Sequence, residues 1–168
     1  MSGGELALHG TVWLALTAWA TAEVVEGTSR ERKPVPDWRW FWTLGALALA
    51  AHIALAMQLR HGWSHAAVLA DTARQTEAKF GLNWGGGVWF NYAMVALWLM
   101  DAAWAWAAPA RREAARGWPW LVRGYFFFMW FNGAVMFPTG PVRWFGLVAC
   151  LVVVGTWWRQ RRRSRGLT

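Results

Sequence analysis

The chain has 168 residues, 57% of them hydrophobic and 15% charged, with 17 tryptophans, a mean hydropathy of +0.19 and a formal net charge of +8. Soluble domains carry about 25% charged residues, so this composition argues against an ordinary soluble fold, and the many aromatic and aliphatic side chains exclude intrinsic disorder. A single cysteine, Cys150, excludes an intramolecular disulfide and any cysteine-built zinc site.

Taken in chain order, the first apolar stretch covers 6–25. It resembles a secretory signal at Ala20-Thr21-Ala22, but the residues before it contain Glu5 and no Lys or Arg, so an uncleaved membrane anchor is expected. A basic loop follows, and then a second apolar stretch at 40–59. Crossing a hydrocarbon core of about 30 Å takes roughly 17–25 helical residues, and both stretches meet that length.

The segment 60–87 is the longest one outside the apolar stretches. Ser64 is placed to cap a short amphipathic helix. Its expected apolar face is Ala66, Leu69, Ala70, Ala73 and Phe80, lying on the membrane surface, and its polar face carries Asp71, Arg74, Gln75 and Glu77. Gly85-Gly86-Gly87 then brings the chain back. The three glycines lack the spacing of a phosphate loop, so close packing of the turn is expected.

A third apolar stretch covers 88–108. After a basic loop, a nearly continuous apolar run is broken once, by Pro138-Thr139-Gly140-Pro141. Two prolines and a glycine in four residues make a turn, so the run reads as a hairpin of two helices, 120–137 and 142–158. A basic tail, 159–168, closes the chain. The expected fold is therefore all-α, a single membrane domain of five transmembrane helices with a short amphipathic helix in its outer loop.

Five spans put Arg30, Arg32, Lys33, Arg39, Arg111, Arg112, Arg116, Arg123 and the five arginines of the tail on one side. Only Arg60, Arg74, Lys79 and Arg143 are on the other. Cationic residues collect on the cytoplasmic side, so thirteen against four predicts an external N-terminus and a cytoplasmic C-terminus in a bacterial-type inner membrane. The tail then serves as a topology signal and a contact for anionic lipid, and no nucleic-acid partner is expected. Tryptophans favour the headgroup level. Trp38, Trp40, Trp42, Trp104, Trp106, Trp118, Trp120, Trp157 and Trp158 form the inner belt, while Trp13, Trp19, Trp98 and Trp130 lie deeper.

Polar groups inside spans are costly and mark candidate sites. At 1.5 Å per residue, His52 lies about 12 Å, Asn132 about 9 Å, and His9 and Asn91 about 5 Å below the outer surface. With Tyr92 they outline an outer-leaflet pocket roofed by the loop helix, suited to a b-type haem, a quinone or another planar ligand. The alternative is interhelical hydrogen bonding among the same residues. His61 and His65, at i, i+4, are a weaker candidate for a metal. Asp101, in the inner half, reads as a protonated hydrogen-bond donor, a proton-relay carboxylate or a partner for Arg123. The last is preferred, because both residues sit in the cytoplasmic half, while a relay would want a second membrane carboxylate and Glu23 is only at the edge of its span.

No nucleophile elbow, dinucleotide fingerprint or metalloprotease motif occurs, so an enzyme is not expected. Lys33-Pro34-Val35-Pro36-Asp37-Trp38 is similar to the proline-rich first loop of the tryptophan-rich sensory proteins, a family of tetrapyrrole-binding membrane proteins. The chain departs from that family in lacking the double proline and the Asn-x-x-Trp pattern of the third span, and in its long outer loop. No site residue is transferred from it. The expected role is a non-enzymatic membrane subunit or accessory module that packs against other membrane proteins through Trp/Phe-rich faces. The alternatives are a cofactor-binding membrane protein using the outer pocket, and a solute or proton transporter using Asp101.

Overall fold

The computed structural model describes residues 2–28, 37–115 and 117–165, the last three without their side chains. Arg30, Arg32, Lys33, the prolines of the first loop, Arg116, the side chains of Arg163 and Arg165 and the end of the tail lie outside the described residues. Within them the chain is all-helical, with no strand. The helices are α1 (Gly3–Thr28), α2 (Trp38–Ala56), α3 (His65–Phe80), α4 (Gly87–Ala107), α5 (Pro109–Ala114), α6 (Trp118–Phe131) and α7 (Pro141–Arg165). Two π-helical turns, Met57–His61 and Asn132–Met136, continue α2 and α6. Each of the five apolar stretches falls within one of these helical segments apart from its last residue in two cases, Ala108 and Phe137.

Local chemistry sets the helix ends. Asp37 caps α2 by accepting from the Arg39 backbone N–H at 3.0 Å. Its hydrogen bonds from the Arg39 guanidinium hold its carboxyl below the ordinary aspartate range. Ser64 caps α3, accepting from the Ala67 N–H at 3.3 Å. Between the π turn and α3 the chain reverses through Gly62 and Trp63, both left-handed, with φ of 52° and 60°. The hairpin turn closes on Gly140, φ 70°, and Pro141 starts α7 with the fixed φ that suits a first helical position.

α1 packs most extensively on α2, and also on α7, while α2 and α6 both meet α4. The core is aromatic. Trp42, Trp98 and Phe126 meet with ring centroids 4.9–5.2 Å apart, and Trp130 lies 6.0 Å from Trp19 and 6.3 Å from Trp98. Trp42 is therefore not part of an interfacial belt. It is 3% exposed, because α4 and α6 close over the first turn of α2. Gly45, one turn further, admits the Trp98 ring, with which a Cβ would collide. The indole N–H groups of Trp19, Trp42, Trp98 and Trp130 are buried with no hydrogen-bond acceptor, so these rings act as apolar filling.

Two helical segments, Trp38–His61 and Pro141–Arg162, are long and apolar enough to cross a membrane. The outward surface is apolar along much of the molecule: Leu44 and Leu47, Leu99 and Met100, Leu121 and Phe128, and Val148, Leu151 and Val152 are all exposed.

Candidate functional site

A cavity of about 740 Å³ occupies the end of the molecule covered by α3. His9 lines it from α1, His52 from α2, Asn91 and Tyr92 from α4, and Asn132 from the π turn after α6. Five residues from four separate stretches of sequence thus border one space. The floor is apolar and includes Leu16, Leu49, Met94 and Trp130.

The roof is α3, which lines the cavity largely with its polar side chains. The buried residues of α3 are Val68 and Thr76, and the helix lines the cavity with Val68, Asp71, Thr72, Gln75, Thr76 and Phe80. Ala66 and Ala70, on the apolar side expected to lie on the membrane surface, are exposed on the protein. The helix turns a largely polar stripe inward because it covers a cavity that carries polar groups, rather than a dry core. The glycine turn works as close packing. A Cβ on Gly85 would collide with the Leu69 carbonyl of α3, and one on Gly87 would press on the Thr72 methyl group at 3.2 Å. At its far end α3 meets the chain just after the second π turn through Phe80 and Phe137, edge to face at 5.7 Å.

Hydrogen bonds determine what these side chains offer. The Nδ1 of His52 lies 3.0 Å from the Leu8 carbonyl, and the Nδ1 of His9 lies 2.7 Å from the Glu5 carbonyl. A carbonyl only accepts, so both Nδ1 atoms carry the proton, and Nε2 is the unprotonated nitrogen of each neutral ring. Asn132 donates from Nδ2 to the Phe128 carbonyl at 2.8 Å, and Gln75 donates from Nε2 to Asp71 at 3.0 Å. The Tyr92 hydroxyl lies 3.3 Å from His65 Nδ1, and those two rings stack at 5.6 Å.

His61 and His65 do not form a helical i, i+4 pair. His61 ends the first π turn, His65 begins α3, and the left-handed Gly62 and Trp63 separate them. Among the described residues no three His, Cys, Asp or Glu side chains gather as a metal site.

Two ion-pair clusters fill the opposite half. Asp101, 0% exposed, pairs with Arg112 and not with Arg123. Arg112 donates to both carboxylate oxygens at 2.9 Å, and the Trp118 indole N–H adds a third bond at 2.6 Å. The short α5 folds back after Pro109 and carries Arg112 inward, where its guanidinium also lies over the Trp38 ring at 4.8 Å. Arg123 instead bridges Glu23 at 3.1 Å and Glu26 at 2.8 Å, while Trp157 donates to Glu23 at 2.8 Å. Glu23, although near the end of its span, is buried: it is 2% exposed and ties α1, α6 and α7 together. Glu23, Glu26 and Arg112 were all readable as charges near span ends. What the sequence lacked was any signal that they turn inward.

No known protein family, curated protein or solved structure matches this chain in comparisons of sequence and fold.

Proposed function

We propose that the chain is a five-span integral membrane protein, N-terminus outside and C-terminus in the cytoplasm of a bacterial-type inner membrane, which binds a small, mainly apolar ligand in the cavity beneath α3. The observation that carries the binding reading is the cavity itself, bordered by polar groups of four helical segments over an apolar floor. A cavity of this size and lining falls in the usual range for small-molecule sites.

The membrane reading is supported by the distribution of polarity. The buried interior holds Asp101, Arg112, Glu23 and Arg123, while the outward faces are Leu, Val, Met and aromatic. Patches of that extent mark contact with lipid or protein. α1 with 26 residues and α4 with 21 have the length to span beside the two most apolar helices. Their tryptophans and internal acids lower their hydropathy without shortening them. Arginines also sit over tryptophan rings at the end opposite α3: Arg39 on Trp106 at 4.5 Å, Arg161 on Trp120 at 4.7 Å and Arg162 on Trp158 at 3.6 Å. That pairing suits a basic, anionic-lipid-facing interface.

The experiment is purification in mild detergent followed by organic extraction, mass spectrometry and a visible absorption spectrum, which reports directly on haem. A molecule present near one per chain, and lost when Ala56→Phe fills the cavity, is the expected result. Identical extracts from the two proteins overturn the binding reading. A second reading, an accessory subunit without a ligand, is supported by an open apolar groove of about 560 Å³ between α4 and α6, lined by Trp89, Leu97, Leu121 and Tyr125 among others. Co-purification of a stoichiometric membrane partner with an empty cavity would favour it.

A further inference from the structure

We infer that the ligand of this cavity carries a neutral head group that donates hydrogen bonds, a hydroxyl-bearing amphiphile whose apolar body lies on the floor; the inference rests on the binding reading above. Two independent features of the wall lead to it, one of charge and one of hydrogen-bond polarity.

Charge comes first. Among the described residues no Lys or Arg lines the cavity, so a carboxylate or phosphate head would be desolvated there without a counter-ion. The carboxylate on the wall is Asp71, and both its oxygens are engaged: Oδ1 accepts from Arg74 at 2.9 Å and Oδ2 from Gln75 at 3.0 Å. A cationic head therefore meets no free anion. The two propionates of a haem would be disfavoured on the same ground as any other carboxylate.

The second feature is that the two imidazoles of the wall have spent their donors on the protein. His9 and His52 give their Nδ1 protons to the backbone carbonyls of Glu5 and Leu8, leaving Nε2 lone pairs. Asn132 gives one amide proton to Phe128 and Gln75 one to Asp71, so each keeps a second N–H beside its acceptor oxygen, and Asn91 brings a further amide to the wall. Thr76 likewise donates its hydroxyl to the Thr72 carbonyl at 2.9 Å. The wall thus offers acceptors alone at the imidazoles and donors with acceptors at the amides, and a hydroxyl, which donates and accepts, matches both. A ligand bearing only acceptors, such as a ketone or ester, would leave the imidazole lone pairs unpaired.

The probes are three chains of equal length, 11-bromoundecanol, 11-bromoundecanoate and 11-bromoundecylamine, titrated at pH 8 into protein held in zwitterionic nanodiscs. Bromine quenching of the cavity tryptophans Trp13, Trp84 and Trp130 reports binding, and the Ala56→Phe protein supplies the baseline for partition into lipid. The alcohol is expected to half-saturate at a concentration at least about tenfold below the acid and the amine. In His52→Phe the alcohol should weaken about five- to tenfold, the loss of roughly one hydrogen bond to a buried acceptor, with the acid unchanged. Acid or amine binding as tightly as the alcohol, or an alcohol indifferent to His52→Phe, overturns the head-group inference and leaves the cavity reading standing. Failure of all three probes to quench above the Ala56→Phe baseline overturns the cavity reading itself.

Discussion

At the scale of single residues, the buried charges show how compensation is achieved in an apolar interior. Asp101 accepts three hydrogen bonds, two from one guanidinium in a fork, and Arg112 in turn stacks on Trp38. Breaking such a pair on one side leaves an uncompensated buried charge and costs about 3–5 kcal/mol, whereas replacing both partners by apolar groups is often close to neutral. Asp101→Leu is therefore expected to lower the thermal midpoint in detergent sharply, and Asp101→Leu with Arg112→Leu to recover most of the loss. A double variant as unstable as the sum of its two single variants would refute this account of the pair. Arg123 plays a different part, since it serves Glu23 and Glu26 together and so joins α6 to α1, while Trp157 brings in α7.

At the scale of elements, helix association in a bilayer cannot lean on the hydrophobic effect, since lipid tails are as apolar as leucine, and small residues that permit close approach take its place. Gly45 is the clearest case, because its missing side chain is filled by the Trp98 ring. Gly45→Val should destabilise by about 1–3 kcal/mol through overpacking. Gly124, in a helix but with open space around it, is the control: Gly124→Ala should be neutral or stabilising by up to about 1 kcal/mol from helix propensity alone. Thermal unfolding of both variants checks the contrast, and equal effects would mean that helix propensity and not the Trp98 contact governs Gly45. α3 is a further case where tertiary context prevailed over pattern. Its Ala-rich side carries the apolar pattern, and the side that the fold turns to the cavity bears Thr72, Gln75 and Thr76.

At the scale of the whole molecule, polarity is arranged with buried charged pairs inside and aliphatic and aromatic side chains outside. The proposed topology puts the α2–α3 and α4–α6 connections on opposite sides of the membrane. In a Cys150→Ser background, Ser64→Cys is expected to react with an impermeant maleimide in intact cells, and Ala110→Cys only after lysis. Both parent residues are exposed, so accessibility within the fold does not limit labelling. Labelling of both cysteines from one side, or in the reverse order, would sink the five-span topology.

The division between what was legible and what was not follows from the range of the interactions. The sequence by itself determined the helical segments, the turn at Pro138–Pro141 and the cap at Ser64, because proline geometry, capping and apolar run length act over a few residues. It also brought out His9, His52, Asn91, Tyr92 and Asn132 as polar groups toward one end of the bundle, since position along a helix is simple counting at a fixed rise. Only the tertiary structure decided which side chains meet. Asp101 lies within reach of Arg112 because α5 doubles back, and Arg123 is taken by α1, a segment 100 residues earlier in the chain. Partner choice between charges depends on rotation and crossing of helices far apart in sequence, and no local pattern carries that information.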